Sequence, residues 1–158
     1  MDILDDDIIK FWRLLHENDV KYIMIGGFAT NLHGFNRITS DVDIWLKDTL
    51  ENRKKFRTVI KELELGDFEE IETMQMIPGW TSFTLNGGID LDIMTSLKGF
   101  EQSNFDECLE LSPIAVIDDI PVRFLSLNHL IQAKKEVFRE KDKIDLIELE
   151  KIKKASEK

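Results

Sequence analysis

Residues 41–46, Asp-Val-Asp-Ile-Trp-Leu, constrain this chain's fold more than any other stretch. Val42 and Ile44 alternate with Asp41 and Asp43, the period of a strand with one buried face. Side chains two apart on a strand project from the same face, so two carboxylates stand together at the mouth of something buried. Like charges that close repel, and burial disfavours the charged form further. Such a strand needs a sheet to bury its apolar residues and a reason to keep its carboxylates adjacent.

The flanking sequence supplies the sheet. Residues 4–18 space Ile8, Phe11, Trp12 and Leu15 for one face of a helix that Asn18 and Asp19 stop. Residues 20–27 are a short strand ending in Gly26-Gly27, a tight turn into a helix that Gly34 ends. Residues 50–64 are an amphipathic helix carrying Phe56, Val59, Ile60 and Leu63. Residues 71–77 read as a further strand, and 80–94 as a hairpin about Asn86-Gly87-Gly88. In its second arm Asp90 and Asp92 face one way and Ile89, Leu91 and Ile93 the other. A short helix at 104–111 and a second hairpin about Asp118-Asp119 follow. Ser126 then caps helices that run to the end. This order predicts an α/β (α+β) fold, a mixed sheet with flanking helices and a C-terminal helical segment. It predicts one domain over 1–158, with a core at about 20–125 and C-terminal helices at about 126–155.

Composition narrows the partners. A net charge of −10 argues against non-specific nucleic-acid binding, which needs a basic face. No apolar run reaches the roughly 18–20 residues of a membrane span. The start, Met-Asp-Ile-Leu-Asp-Asp-Asp, lacks the basic residues of a signal peptide, and the one cysteine, Cys108, fits a reducing compartment. A cytoplasmic location and no membrane partner are the expectations.

Three features are therefore placed to converge on one sheet edge: the Gly26-Gly27 turn, the Asp41/Asp43 strand and the Asp90/Asp92 strand. Two-metal phosphoryl transfer uses such a set. Two Mg²⁺ ions about 3.5–4 Å apart clamp the attacking oxygen and the phosphates, and Mg²⁺ takes carboxylate oxygens as ligands. An Asp-x-Asp pair bridges both ions, a third carboxylate holds the ion nearer the acceptor, and glycines let backbone approach phosphate.

The stretch from Ile25 to Leu46, Ile-Gly-Gly followed after thirteen residues (28–40) by Asp-Val-Asp, resembles the signature of the polymerase-β-like nucleotidyltransferase superfamily. With Arg37, Thr39, the segment Leu-Asp-Ile-Met and the basic C-terminal helices, the chain is similar to its small prokaryotic branch, which includes abortive-infection and toxin–antitoxin proteins. The resemblance covers most of residues 20–150. It implies a minimal nucleotidyltransferase fold and a Mg²⁺-dependent transfer of a nucleoside monophosphate from a nucleoside triphosphate, releasing pyrophosphate. The acceptor is left open among small molecule, protein and RNA. It also implies metal ligands and catalytic residues at Asp41, Asp43 and Asp92, with Asp90 as the alternative third carboxylate. Gly26 and Gly27 would receive phosphates. Arg37, Thr39 and Lys134 complete the implied nucleotide contacts. A second reading is a non-catalytic partner protein of a toxin–antitoxin or defence system.

Each residue also carries a plainer reading. Arg37 pairs with the aspartates or with phosphate, and Thr39 ties its own loop. Lys134 and Arg139 form a solvated cationic face, or Lys134 meets phosphate. Asp142 and Asp145 are a surface charge pattern or an intramolecular clamp. Trp45 is core, or lies on the face of Asp43 as a base-stacking candidate. His16, His33 and His129 are structural.

Overall fold

A computed structural model describes residues 5–36, 38–77, 80–136 and 139–157. Helix α1, Asp6–Glu17, is capped by Asp5, whose carboxylate accepts from the Asp7 N–H at 2.9 Å. It buries Ile8, Phe11, Trp12 and Leu15, the face expected from their spacing. Strand β1, Tyr22–Ile25, is buried at every position. It runs straight into α2, Gly26–Leu32, which His33 caps before Gly34 turns at φ +111°. Strand β2, Asp41–Leu46, and helix α3, Leu50–Glu62, follow.

Asn52 on α3 fixes how these elements meet. Its amide oxygen accepts from the Lys21 N–H at 2.7 Å, and its Nδ2 donates to the carbonyls of Lys21 and Lys47 at 2.9 Å each. The start of β1 and the end of β2 are thereby held to one buried side chain.

The strand expected at 71–77 does not form. Glu69–Glu72 is instead a short 3-10 turn, and the chain continues as loop. Arg53, buried on α3, donates from Nη1 to the carbonyls of Ile71 at 3.1 Å and Met74 at 2.7 Å. Carbonyls captured by a guanidinium are not available to a ladder, and Ile71 and Met76 still reach the core.

The hairpin of β3, Ser82–Thr84, and β4, Asp90–Met94, forms as expected. Among the described residues the main sheet has the order β1-β2-β4-β3. β1 is antiparallel to β2, β2 parallel to β4, and β3 antiparallel to β4. Helix α4, Phe105–Leu111, precedes a second hairpin, β5 Ile114–Ile117 and β6 Ile120–Arg123. Its turn residues Asp118 and Asp119 both have positive φ, as a tight primed turn requires. The hairpin joins the open side of β1 through a parallel bridge between Phe124 and Met24, with the Leu125 N–H donating to the Met24 carbonyl at 2.9 Å. Helix α5, Leu127–Lys135, is capped by Ser126 and packs against α6, Glu140–Ser156. Among the described residues no helix is long and apolar enough to cross a membrane.

Candidate active site

The parallel pairing of β2 with β4 brings the strand aspartates together. Asp41 lies opposite Asp90 and Asp43 opposite Asp92. Val42, Ile44, Leu91 and Ile93 point into the core, so the four carboxylates share the other face. Asp43 and Asp92 are neighbours at this register, and Asp43 feels the charge of Asp92 in a largely buried setting. Burial pushes the Asp43 carboxyl up to about 7; the charges of Asp92 and Asp41 add to this, and Lys134 opposes it. Asp90 instead accepts from Thr84 Oγ1 on β3 at 2.7 Å. Of the two candidates for a third carboxylate, Asp92 is the one that meets Asp43. Among the described residues no three His, Cys, Asp or Glu side chains form a ready-made metal cage.

The glycine turn abuts the same carboxylate. Ile25, the last residue of β1, pairs with Asp43, and Gly26 turns there at φ +73°. A Cβ on Gly26 would overlap Asp43 Oδ2. Glycine is thus required twice, for its backbone angle and for room. The carbonyl of Gly26 accepts from Thr30 Oγ1 at 3.0 Å, and Gly27 is buried in the first turn of α2.

A cavity of about 610 Å³ opens before Gly26, Asp43 and Asp92. Met94, Leu97, Leu125 and Leu130 add apolar lining to it. Three cations also line it: Lys98 on the loop after β4, Lys134 on α5 and Arg139 at the start of α6.

Lys134 is not part of a solvated face, because it is only 9% exposed. Its Nζ lies 2.8 Å from Asp142 Oδ1 and 3.1 Å from Asp145 Oδ2. Asp142 and Asp145 are buried, so they form the intramolecular clamp and not a surface pattern. Burial raises the Asp142 carboxyl, but hydrogen bonds and charge from Lys134 and Arg139 outweigh it and hold the group below the usual range.

The remaining expectations fall as follows. Thr39 Oγ1 donates to the Asp41 carbonyl at 3.3 Å, a local tie at the entry to β2. Arg37 lies outside the described residues. Trp45 is not a stacking surface. It is fully buried, edge-on to Phe105 at 5.1 Å, and its Nε1 donates to the Thr95 carbonyl at 3.3 Å. Strand alternation does put it on the face of Asp43, but Phe100 and Phe105 cover that end of the face. His33 is structural, its Nε2 lying 2.8 Å from the Leu125 carbonyl. Sequence reading missed the Leu97–Lys98 loop, whose signal was its position directly after the second aspartate strand. It missed also that Arg139 lines the cavity, because the packing of α6 on α5 is set by residues far apart in the chain.

Comparison with known proteins bears on the fold and the family. The fold is similar to that of the lincosamide antibiotic adenylyltransferase LnuA in its lincomycin-bound form, at 17% identity over 94% of this chain and 97% of that one, with a TM-score of 0.59. It is similar to the antibiotic-resistance factor ANT(2'')-Ia, at 20% identity over 96% and 82% of the two chains and a TM-score of 0.57. An antigenic nucleotidyltransferase-like protein from Paracoccidioides brasiliensis shares 15% identity over 92% and 76%, with a TM-score of 0.58. At these identities the likeness is one of fold. No curated protein matches the sequence. Residues 4–156 match the family described as nucleotidyltransferase of unknown function (DUF6036), and the chain, with its paired aspartate strands and glycine turn, belongs to that nucleotidyltransferase family.

Proposed function

We propose that this protein transfers a nucleoside monophosphate from a nucleoside triphosphate to a small hydroxyl-bearing acceptor, with Mg²⁺ held by Asp41, Asp43 and Asp92. The observation that carries this reading is the abutment of Asp43 on Asp92 and on the Gly26 turn at one cavity wall. The donor set suits Mg²⁺, which takes a few carboxylates and completes its shell with water and substrate phosphates. Crowded, partly buried carboxylates are also what a cation relieves. Bound Mg²⁺ supplies positive charge to the phosphates and lowers the cost of the attacking oxygen's negative charge.

The chain's own groups do the rest. Asp41 and Asp43 hold the metal side of the triphosphate, and the Gly26-Gly27 backbone meets its β,γ end. Asp92 orients the acceptor hydroxyl and takes its proton as that oxygen attacks the α-phosphorus. The bond from the α-phosphorus to the bridging oxygen breaks, and pyrophosphate leaves. Lys134 contributes its field from the cavity wall. The apolar lining, Leu97, Leu125 and Leu130, excludes water. A small acceptor is favoured by the fold neighbours, one of which holds lincomycin and another adenylyl-2''-tobramycin.

The test is transfer of label from α-³²P nucleoside triphosphates to a panel of hydroxylated small molecules, RNA and protein, with Mg²⁺ or with chelator. Transfer that needs Mg²⁺ and disappears in Asp41→Asn and Asp43→Asn is expected. Transfer at the wild-type rate by Asp43→Asn would overturn the mechanism.

A further inference from the structure

The cavity holds three cations, and they are not equivalent. Lys134 is buried, and its ammonium is committed to two buried carboxylates. Using it on a ligand would leave Asp142 and Asp145 short of their shared lysine in an apolar setting, which is costly. Lys98 is a point charge on a flexible stem. Arg139 differs from both. Its side chain is 62% exposed, yet it is held from behind: Nε donates to Asp142 Oδ2 at 2.6 Å and Nη2 to Asp142 Oδ1 at 3.4 Å. Asp142 is in turn fixed by Lys134 Nζ at 2.8 Å.

A guanidinium has five N–H donors in a rigid plane, and Asp142 uses one edge of it. The remaining donors stay on the accessible side of a group that lines the cavity with Asp43 and Asp92. A buried carboxylate that fixes an exposed arginine prepays the ordering cost that a free surface arginine would meet on binding. Planar forked donors match phosphate oxygens, and such charge-assisted bonds are the strong ones.

From this arrangement we infer that Arg139 binds the polyphosphate of the nucleotide and that Asp142 is its positioning residue. The inference rests on the nucleotidyl-transfer reading above and assigns the phosphate contact to Arg139 instead of Lys134. It explains why a helical pair buries three charges beside the site: Lys134, paired with Asp145, fixes Asp142, and Asp142 holds the exposed Arg139.

The experiment uses the full chain and two probes with Mg²⁺, inorganic tripolyphosphate and α,β-methylene ATP, with binding read by calorimetry. Arg139→Gln is expected to weaken both by at least about tenfold while melting close to wild type, because the glutamine amide can still donate to Asp142. Arg139→Lys restores only part of the affinity, since an ammonium lacks the fork to span Asp142 and phosphate together. Lys98→Gln changes binding by less than about threefold. In transfer assays Arg139→Gln raises KM for the nucleotide with little change in kcat, and Asp142→Asn, where it folds, moves KM the same way. Unchanged affinity in Arg139→Gln, or a loss carried by Lys98→Gln, overturns the inference and leaves the transfer reading intact. Failure of the wild-type protein to bind either probe overturns both.

Discussion

Replacing Asp43 by asparagine should stabilise the metal-free protein at alkaline pH while abolishing transfer. An unfolded aspartate ionises near 3.8, and the folded Asp43 near 7, because it is buried beside Asp92 and Asp41. Below pH 3.8 both states hold the proton, and the group has no differential effect. Above it the unfolded chain gives the proton up while the folded chain keeps it, so stability falls as pH rises and levels off once the folded carboxyl ionises near 7. About three units of difference correspond to about 4 kcal/mol, of which about 3 kcal/mol accrues between pH 5 and 8. Asparagine is nearly isosteric and carries no charge at any pH. The variant should therefore melt modestly above wild type at pH 5, where about 1–2 kcal/mol has accrued, and further above it at pH 8. At about 2–4 °C per kcal/mol for a chain of this size, the gain added between pH 5 and pH 8 is roughly 6–12 °C. The assay is thermal unfolding of both proteins in chelator from pH 5 to 8, taking the difference so that groups common to both cancel. Excess Mg²⁺ with nucleoside triphosphate should reverse the order, because the ligand stabilises only the protein that binds it. A pH-independent difference, or an Asp43→Asn protein that melts lower at pH 8 in chelator, would refute the reasoning that these carboxylates are held together against their own repulsion.

Other substitutions test the frame around the site. Gly26→Ala places a Cβ on the Asp43 carboxylate and adds about 1–2 kcal/mol of backbone strain from the positive φ; lost activity with a lower Tm is expected, and an active Gly26→Ala would show that Asp43 can move. Asn52→Ala removes three hydrogen bonds that join β1, β2 and α3 and should cost about 2–4 kcal/mol in chemical denaturation, with m unchanged. Lys134→Met takes the shared ammonium from Asp142 and Asp145 and should cost about 3–5 kcal/mol at pH 7. Because the Asp142 carboxyl is held below its unfolded value, that loss should shrink as pH falls through the acid range, where the wild-type pairing itself is lost.

Several parts of this protein were legible in the chain alone. Hydrophobic spacing located α1 and α3, and alternation located β2, β4 and both hairpins, because those elements are stabilised by neighbours near in sequence and by one buried face. Asp-x-Asp on two strands, with a glycine pair upstream, was enough to point to the nucleotidyltransferase family. It was not enough to say that Asp92 and not Asp90 meets Asp43. That follows from the parallel register of β2 and β4, set by strands more than forty residues apart, and from Thr84 taking Asp90.

Local pattern failed where a distant side chain decided the outcome. Residues 71–77 read as a strand, but Arg53 on α3 captured their carbonyls. Trp45 read as core or as a stacking residue, and aromatic rings from beyond β4 made it core. Lys134 and Arg139 looked alike as basic residues near helix ends. Packing of α5 on α6 buried the first between two aspartates and left the second at the cavity mouth, held by one of them. The sequence by itself determined which residues carry charge and which face of each strand they occupy, since those depend on a period of two along one strand. Only the tertiary structure decided which charges meet, because strand register and helix docking are set by contacts between residues far apart in the chain.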